Sequence, residues 1–230
     1  TRHKEPEFMQ FESESPQCIQ VSAAEKTLGL SSVSAGYVRE IFGRHAKETW
    51  ISAGHLNIIL SELGAKKYDV TKPQKSDVRF YNSFASSSRF DSKALLVTLM
   101  LLASDLPSNK ATLLFQVYDP TISNAIKAEE AKNLFSELLL YSIRSIVLAE
   151  TLDNAESLDI YREKLKKAVP QTVSDLLSKF VGADSVLVKY SFVNLIAHDF
   201  EANKIVTARG LRNLLMANAS GKAAPLAQKS

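Results

Sequence analysis

Four stretches of this chain repeat one pattern: an aromatic residue, a short polar loop, one apolar residue, then a run with helical apolar spacing. They run from Phe42 through Ile51 to Gly64, from Phe84 through Phe90 to Ser104, from Tyr118 through Ile126 to Leu139, and from Phe180 through Val186 to Asp199. A unit this small cannot bury its apolar face alone, so repetition forces the units to stack on one another. The second and fourth align without a gap: Phe84 on Phe180, Phe90 on Val186, Leu96 on Phe192. Nine residues past each central apolar residue stands Leu60, Leu99, Phe135 or Leu195, which marks the inward face of a helix leaving each loop. The odd loops are longer than the even ones, a pairwise alternation. Paired units bring their central apolar residues together across a minimal antiparallel bridge, so Ile51 is expected opposite Phe90 and Ile126 opposite Val186.

The third loop carries the most chemistry. It reads Tyr118-Asp119-Pro-Thr-Ile-Ser-Asn-Ala-Ile126-Lys-Ala-Glu-Glu130. A calcium loop of the EF-hand type takes oxygens from positions 1, 3, 5, 7 and 9 and a bidentate Glu at 12, with Gly at 6 for the sharp turn. Asp119 stands at position 1, Glu130 at position 12 and Ile126 at the apolar eighth. Asn124 holds the sixth, where it best replaces Gly in a left-handed backbone. Positions 3 and 5 are only Thr121 and Ser123, and position 9 is Lys127, whose ammonium repels a divalent cation. The frame of an ion loop is kept while its ligands are eroded. Asp before Pro also serves as a plain turn or N-cap residue.

The layout resembles the calmodulin superfamily, and within it the calcineurin B and neuronal calcium sensor branch. The residues that carry the resemblance are Phe80 to Phe84, Phe90-Asp91, Leu95 to Ser104, Leu113 to Asp119, and Ile126 to Glu130. It spans about residues 33–216, with an enlarged spacer before the fourth unit. It implies an all-α fold of two pairs of EF-hand-like helix–loop–helix units with minimal two-stranded bridges. It carries calcium ligation only onto Asp119, Thr121, Ser123, Glu130 and the Ala125 carbonyl. The first loop departs from the pattern, with Arg44 and His55 at the two most important ligand positions and only Glu48 and Ser52 offering side-chain oxygens. The second and fourth loops are too short to encircle an ion.

Charge agrees with lost ion binding: the formal net charge is +3 and the pI about 8.8, whereas calcium lobes are usually acidic. No basic run is interleaved with aromatics, so no nucleic-acid partner is expected. A single cysteine, Cys18, excludes an internal disulfide and fits a reducing compartment. The apolar run Ala94 to Ala103 is far shorter than the ~20 residues of a membrane span. No nucleophile motif, phosphate-binding glycine loop or paired metal spacing appears, so no enzyme is expected. His45, His55 and the His198-Asp199 pair read as surface groups and a helix end, and Ser86 to Arg89 as a flexible loop.

The expected organisation is an N-terminal arm over 1–32, one pair over 33–106, and a second pair over 107–217 with an inserted helix around 150–169. A flexible tail follows over 218–230. In the arm, Phe8, Met9 and Phe11 are isolated apolar residues, and Phe8 and Phe11 could dock on a partner or on the body. Pro170 is expected at the first turn of a new helix. Leu134 to Leu148 is apolar on more than one face, as a buried helix is. With Leu95 to Leu102 it forms the expected apolar groove, and Leu99, Leu102, Leu138, Leu139, Tyr141, Ile143 and Trp50 are the expected partner contacts. The functional expectation is a non-catalytic interaction or scaffold subunit that binds a partner's amphipathic helix largely independently of calcium and needs no cofactor. The alternative is a calcium sensor with one weak site at Asp119 to Glu130. Family analogy places such a protein in the cytoplasm, in a cytoskeletal, ciliary or signalling assembly.

Overall fold

The computed structural model describes residues 14–221, which are mostly helical with two small antiparallel sheets. Phe8, Met9 and Phe11 lie outside the described residues. The first unit consists of α2 (Ala35–His45), β1 (Trp50–Ser52) and α3 (Ala53–Glu62). The second is α4 (Ser76–Asn82), the hairpin β2 (Ala85–Ser86) and β3 (Arg89–Asp91), and α5 (Ser92–Leu102). The third is α6 (Pro107–Tyr118), β4 (Ala125–Lys127) and α7 (Ala128–Arg144). The fourth joins α8 (Ala155–Phe180), β5 (Val186–Val188) and α9 (Lys189–His198). Local chemistry sets these ends. Ser34 and Ser52 accept the amides of Tyr37 and His55 at 3.1 and 3.2 Å as N-caps, and Gly64 closes α3 at φ 64°.

The strands pair as β1-β3-β2 and β4-β5. Ile51 faces Phe90, as the repeat requires. Ile126 faces Leu187, not Val186. The fourth loop therefore holds one residue more than the gapless alignment allows. Leu187 is fully buried whereas Val186 is not, and nine residues further on Ile196, not Leu195, is fully buried. With that shift every unit buries the residue five past its central one: Leu56, Leu95, Ala131 and Phe192. Ser86 to Arg89 is not a flexible loop. Ser87 and Ser88 take φ of 49° and 66°, the two left-handed positions of a tight hairpin turn.

The stretch read as an arm is folded from Pro16 onward. α1 (Pro16–Glu25) starts with Ser15 capping the Cys18 amide and Pro16 in the first turn. Its Cys18 and Val21, with Leu28 and Leu30 beyond it, are essentially fully buried. The spacer is likewise no separate helix: α8 runs unbroken through Pro170, which removes one N–H from its ladder. A short turn, α10 (Phe200–Asn203), leads to α11 (Ala208–Ala219), capped by Thr207 on the Gly210 amide at 3.1 Å. Asn218, read as tail, is part of α11 and donates to Thr172 Oγ1 at 2.8 Å. Buried residues from Cys18 to Leu215 form one continuous core rather than two lobes. Among the described residues no helix is long and apolar enough to cross a membrane.

One buried cation joins α5 to α6. Lys110 is 2% exposed, and its Nζ donates to the carbonyls of Leu101 and Ala103 at 3.0 and 2.9 Å. Burial pulls its pKa from 10.5 to about 8, with Asp105 opposing the shift. The unfolded chain holds this proton more tightly, so the cost is fully present below pH 8 and vanishes above 10.5. A neutral amine still offers two N–H groups to the two carbonyls. The native chain should therefore gain about 3 kcal/mol on Lys110→Met between pH 7 and 10.5. Urea unfolding of both proteins at the two pH values checks this, and a constant difference would contradict it.

Candidate functional site

The third loop is held by its own side chains. Asp119, 4% exposed, accepts the Ser123 amide at 3.0 Å and the Ser123 hydroxyl at 2.8 Å on Oδ1. Thr121 Oγ1 lies 3.2 Å from the same oxygen, and Oδ2 accepts the Asn124 amide at 2.7 Å. Desolvation pushes this carboxyl up, but the donors from Ser123, Asn124 and Thr121 outweigh it and hold it below the usual carboxylate range. Asn124 has φ 59°, the left-handed turn expected at that position. Ile122, 75% exposed, has φ 55°, which is strained for a β-branched side chain.

Ser123 Oγ lies 2.6 Å from the Ala125 carbonyl as well as 2.8 Å from Asp119. A hydroxyl carries one proton and can satisfy only one of them. Asp119, Thr121, Ser123 and the Ala125 carbonyl thus converge as the sequence suggests. Glu130 does not join them: its Oε2 accepts the Lys127 amide at 2.8 Å and closes the start of α7. One carboxylate, two hydroxyls and a neighbouring ammonium fit calcium poorly in this arrangement. Among the described residues no group of three His, Cys, Asp or Glu side chains could hold a metal ion.

The expected partner contacts are turned inward. Leu99, Leu138, Leu139, Tyr141 and Ile143 are all buried, and Leu102 is half-buried against the core. α7 lies against α8, α11 and α5, and α5 against α2 and α6, and α11 brings Leu211 and Leu215 into the core. The apolar faces expected to form a groove are covered within the chain, and α11, the last helix among the described residues, packs on α7 and α8. Trp50 alone of the expected contacts is substantially exposed, at 38%.

Trp50 borders an open cavity of about 250 Å³ at the first loop, with Arg44, His45, Lys47, Glu48 and His55 around it. Arg44 is fixed between Glu40 at 2.8 Å and Glu62 at 3.2 Å, and His45 Nε2 is 2.5 Å from Glu62.

The side chain that sequence reasoning missed is Arg212. It is fully buried on α11 and donates to both oxygens of Glu25 on α1, at 2.6 and 3.0 Å. It also donates to Ser145 Oγ at 2.8 Å and the Ser142 carbonyl at 3.0 Å. Its position among Leu211, Leu214 and Leu215 was the one available signal. No protein-family model matches the chain, and no curated protein is significantly similar to it.

Proposed function

We propose that this chain is a non-catalytic interaction or scaffold subunit built on two degenerate EF-hand-like pairs. Its apolar groove holds an amphipathic helix largely independently of calcium. The observation that carries this reading is the third loop, where Asp119 accepts donors from Thr121, Ser123 and Asn124 of its own loop and Glu130 accepts the Lys127 amide. A loop braced in this way keeps its shape without an ion. The pairing of Ile51 with Phe90 and of Ile126 with Leu187 supports the paired geometry. α11 supplies the amphipathic helix within the chain, and a partner helix gains the groove by replacing it. The placement in a cytoplasmic, cytoskeletal or ciliary assembly rests on family analogy alone.

A second reading, a sensor with one weak calcium site, is favoured by the convergence of Asp119, Thr121, Ser123 and the Ala125 carbonyl. It requires Glu130 to leave the Lys127 amide and turn toward the other ligands. Calorimetric titration of calcium into the chain and into Glu130→Gln separates the two. The scaffold reading expects no binding heat at millimolar calcium from either protein. Micromolar binding that disappears in the variant would replace it with the sensor.

A further inference from the structure

The first-loop cavity has the make-up of an anion site. Arg44, His45, Lys47 and His55 line it against a single carboxylate, Glu48, which is itself paired with Arg89 at 2.7 Å. Glu40 and Glu62 hold Arg44, and Glu62 also meets His45 Nε2 at 2.5 Å, so Lys47 and His55 are the lining groups left to meet a ligand. Lys47 makes no ion pair among the described residues. His55 rests Nδ1 3.2 Å from Ser52 Oγ, which leaves its Nε2 available. The cavity also abuts the start of α3. His55, in the first turn of α3, lines it, and Ser52 accepts the His55 amide there. Helix starts of this kind favour negative charge.

We propose that this cavity binds a phosphate ester dianion. Lys47 and His55 contact the phosphoryl oxygens, Arg44, held by Glu40 and Glu62, borders them, and Trp50 stands at the rim. Charge-assisted bonds of this type are the strong ones, and a preset guanidinium loses little freedom on binding. The volume exceeds that of a phosphate ion, so the rest of the ester has room beside the indole. The site is separate from the groove filled by α11, so it stands whether or not the scaffold reading does.

Trp50 is the only tryptophan in the chain, so its emission reports on this cavity. The full chain is titrated at constant ionic strength with inorganic phosphate, a phosphoserine peptide, and the same peptide carrying glutamate in place of phosphoserine. Saturable emission changes are expected with phosphate and phosphopeptide, and a dissociation constant at least about tenfold weaker for the glutamate peptide. Lys47→Glu and the milder Lys47→Gln should each weaken phosphate binding, the former by about tenfold or more. Lys167→Glu, on the exposed face of α8, should leave it unchanged. Tighter binding of the phosphopeptide identifies a modified protein as the source, and tighter binding of inorganic phosphate a small phosphate ester. Absence of saturation at tens of millimolar phosphate, or equal affinity in the Lys47 variants and the native chain, overturns the proposal.

Discussion

Arg212→Ala is expected to cost about 3–5 kcal/mol of stability, because it strands the Glu25 carboxylate in the core without its cation. Glu25 is only 9% exposed and keeps a single remaining donor, the Ser145 hydroxyl at 2.5 Å. Domains of ordinary stability hold only about 5–15 kcal/mol in total, so the loss is a large share. At roughly 2–4 °C per kcal/mol for a chain of this size, the melting temperature should fall by about 6–20 °C. Two features make the pair costly to break. It joins α1 to α11, elements from opposite ends of the chain, and it passes through the Ser142 carbonyl and Ser145 at the end of α7. The guanidinium is also incompletely satisfied, since Nε has no partner among the described residues. A pair carrying that burden is not optimal for stability, so Glu25→Leu with Arg212→Met should recover most of the loss. Thermal and urea unfolding of the single and double variants test the coupling. Additive losses in the double variant would contradict it.

The same pair shows where the sequence stops being legible. Arg212 reads as an ordinary surface arginine, and its partner lies 187 residues away, beyond any local pattern. The units themselves were legible because their signals are local. Ser34, Ser52 and Thr207 each cap the helix that follows them, and Asn124 turns left-handed at the sixth loop position, as its residue type suggests. The fourth unit was misaligned by one residue because Val186, Leu187 and Val188 form an apolar run in which any member could be the inward one. Strand alternation then decides, and it chose Leu187. α1 was missed although Ser15-Pro16 is a helix-start signal, because only Cys18 and Val21 supply its buried apolar face. The groove residues were correctly read as apolar. Their occupant was not foreseen, since nothing in a sequence says whether an apolar face meets another chain or its own.

Gly210→Ala tests that occupancy directly and should cost about 3 kcal/mol. A Cβ at Gly210 would stand 2.2 Å from the Lys204 carbonyl oxygen and 2.7 Å from the Lys204 Cα. Both are backbone atoms, so no side chain can rotate away. The turn that carries Lys204 is anchored by Ile205 and Val206, and α11 by Leu211, Arg212 and Leu215, all fully buried, so relief of the clash must displace one packed element from the other. A displaced α11 would withdraw Leu211 and Leu215 from the core and loosen its packing on α7 and α8. Gly43→Ala provides the control. Gly43 lies within α2 and a Cβ there meets nothing within 4 Å, so alanine should be neutral or stabilise by up to about 1 kcal/mol. The expected result is increased binding of a hydrophobic dye by Gly210→Ala, with faster amide exchange in α11 while α2 to α5 stay protected. If α11 is what keeps the groove closed, a synthetic peptide of residues 207–219 should suppress the dye signal of the variant. Global unfolding, with loss of protection in every helix, would instead show that α11 is an inseparable part of the core rather than an occupant of a groove.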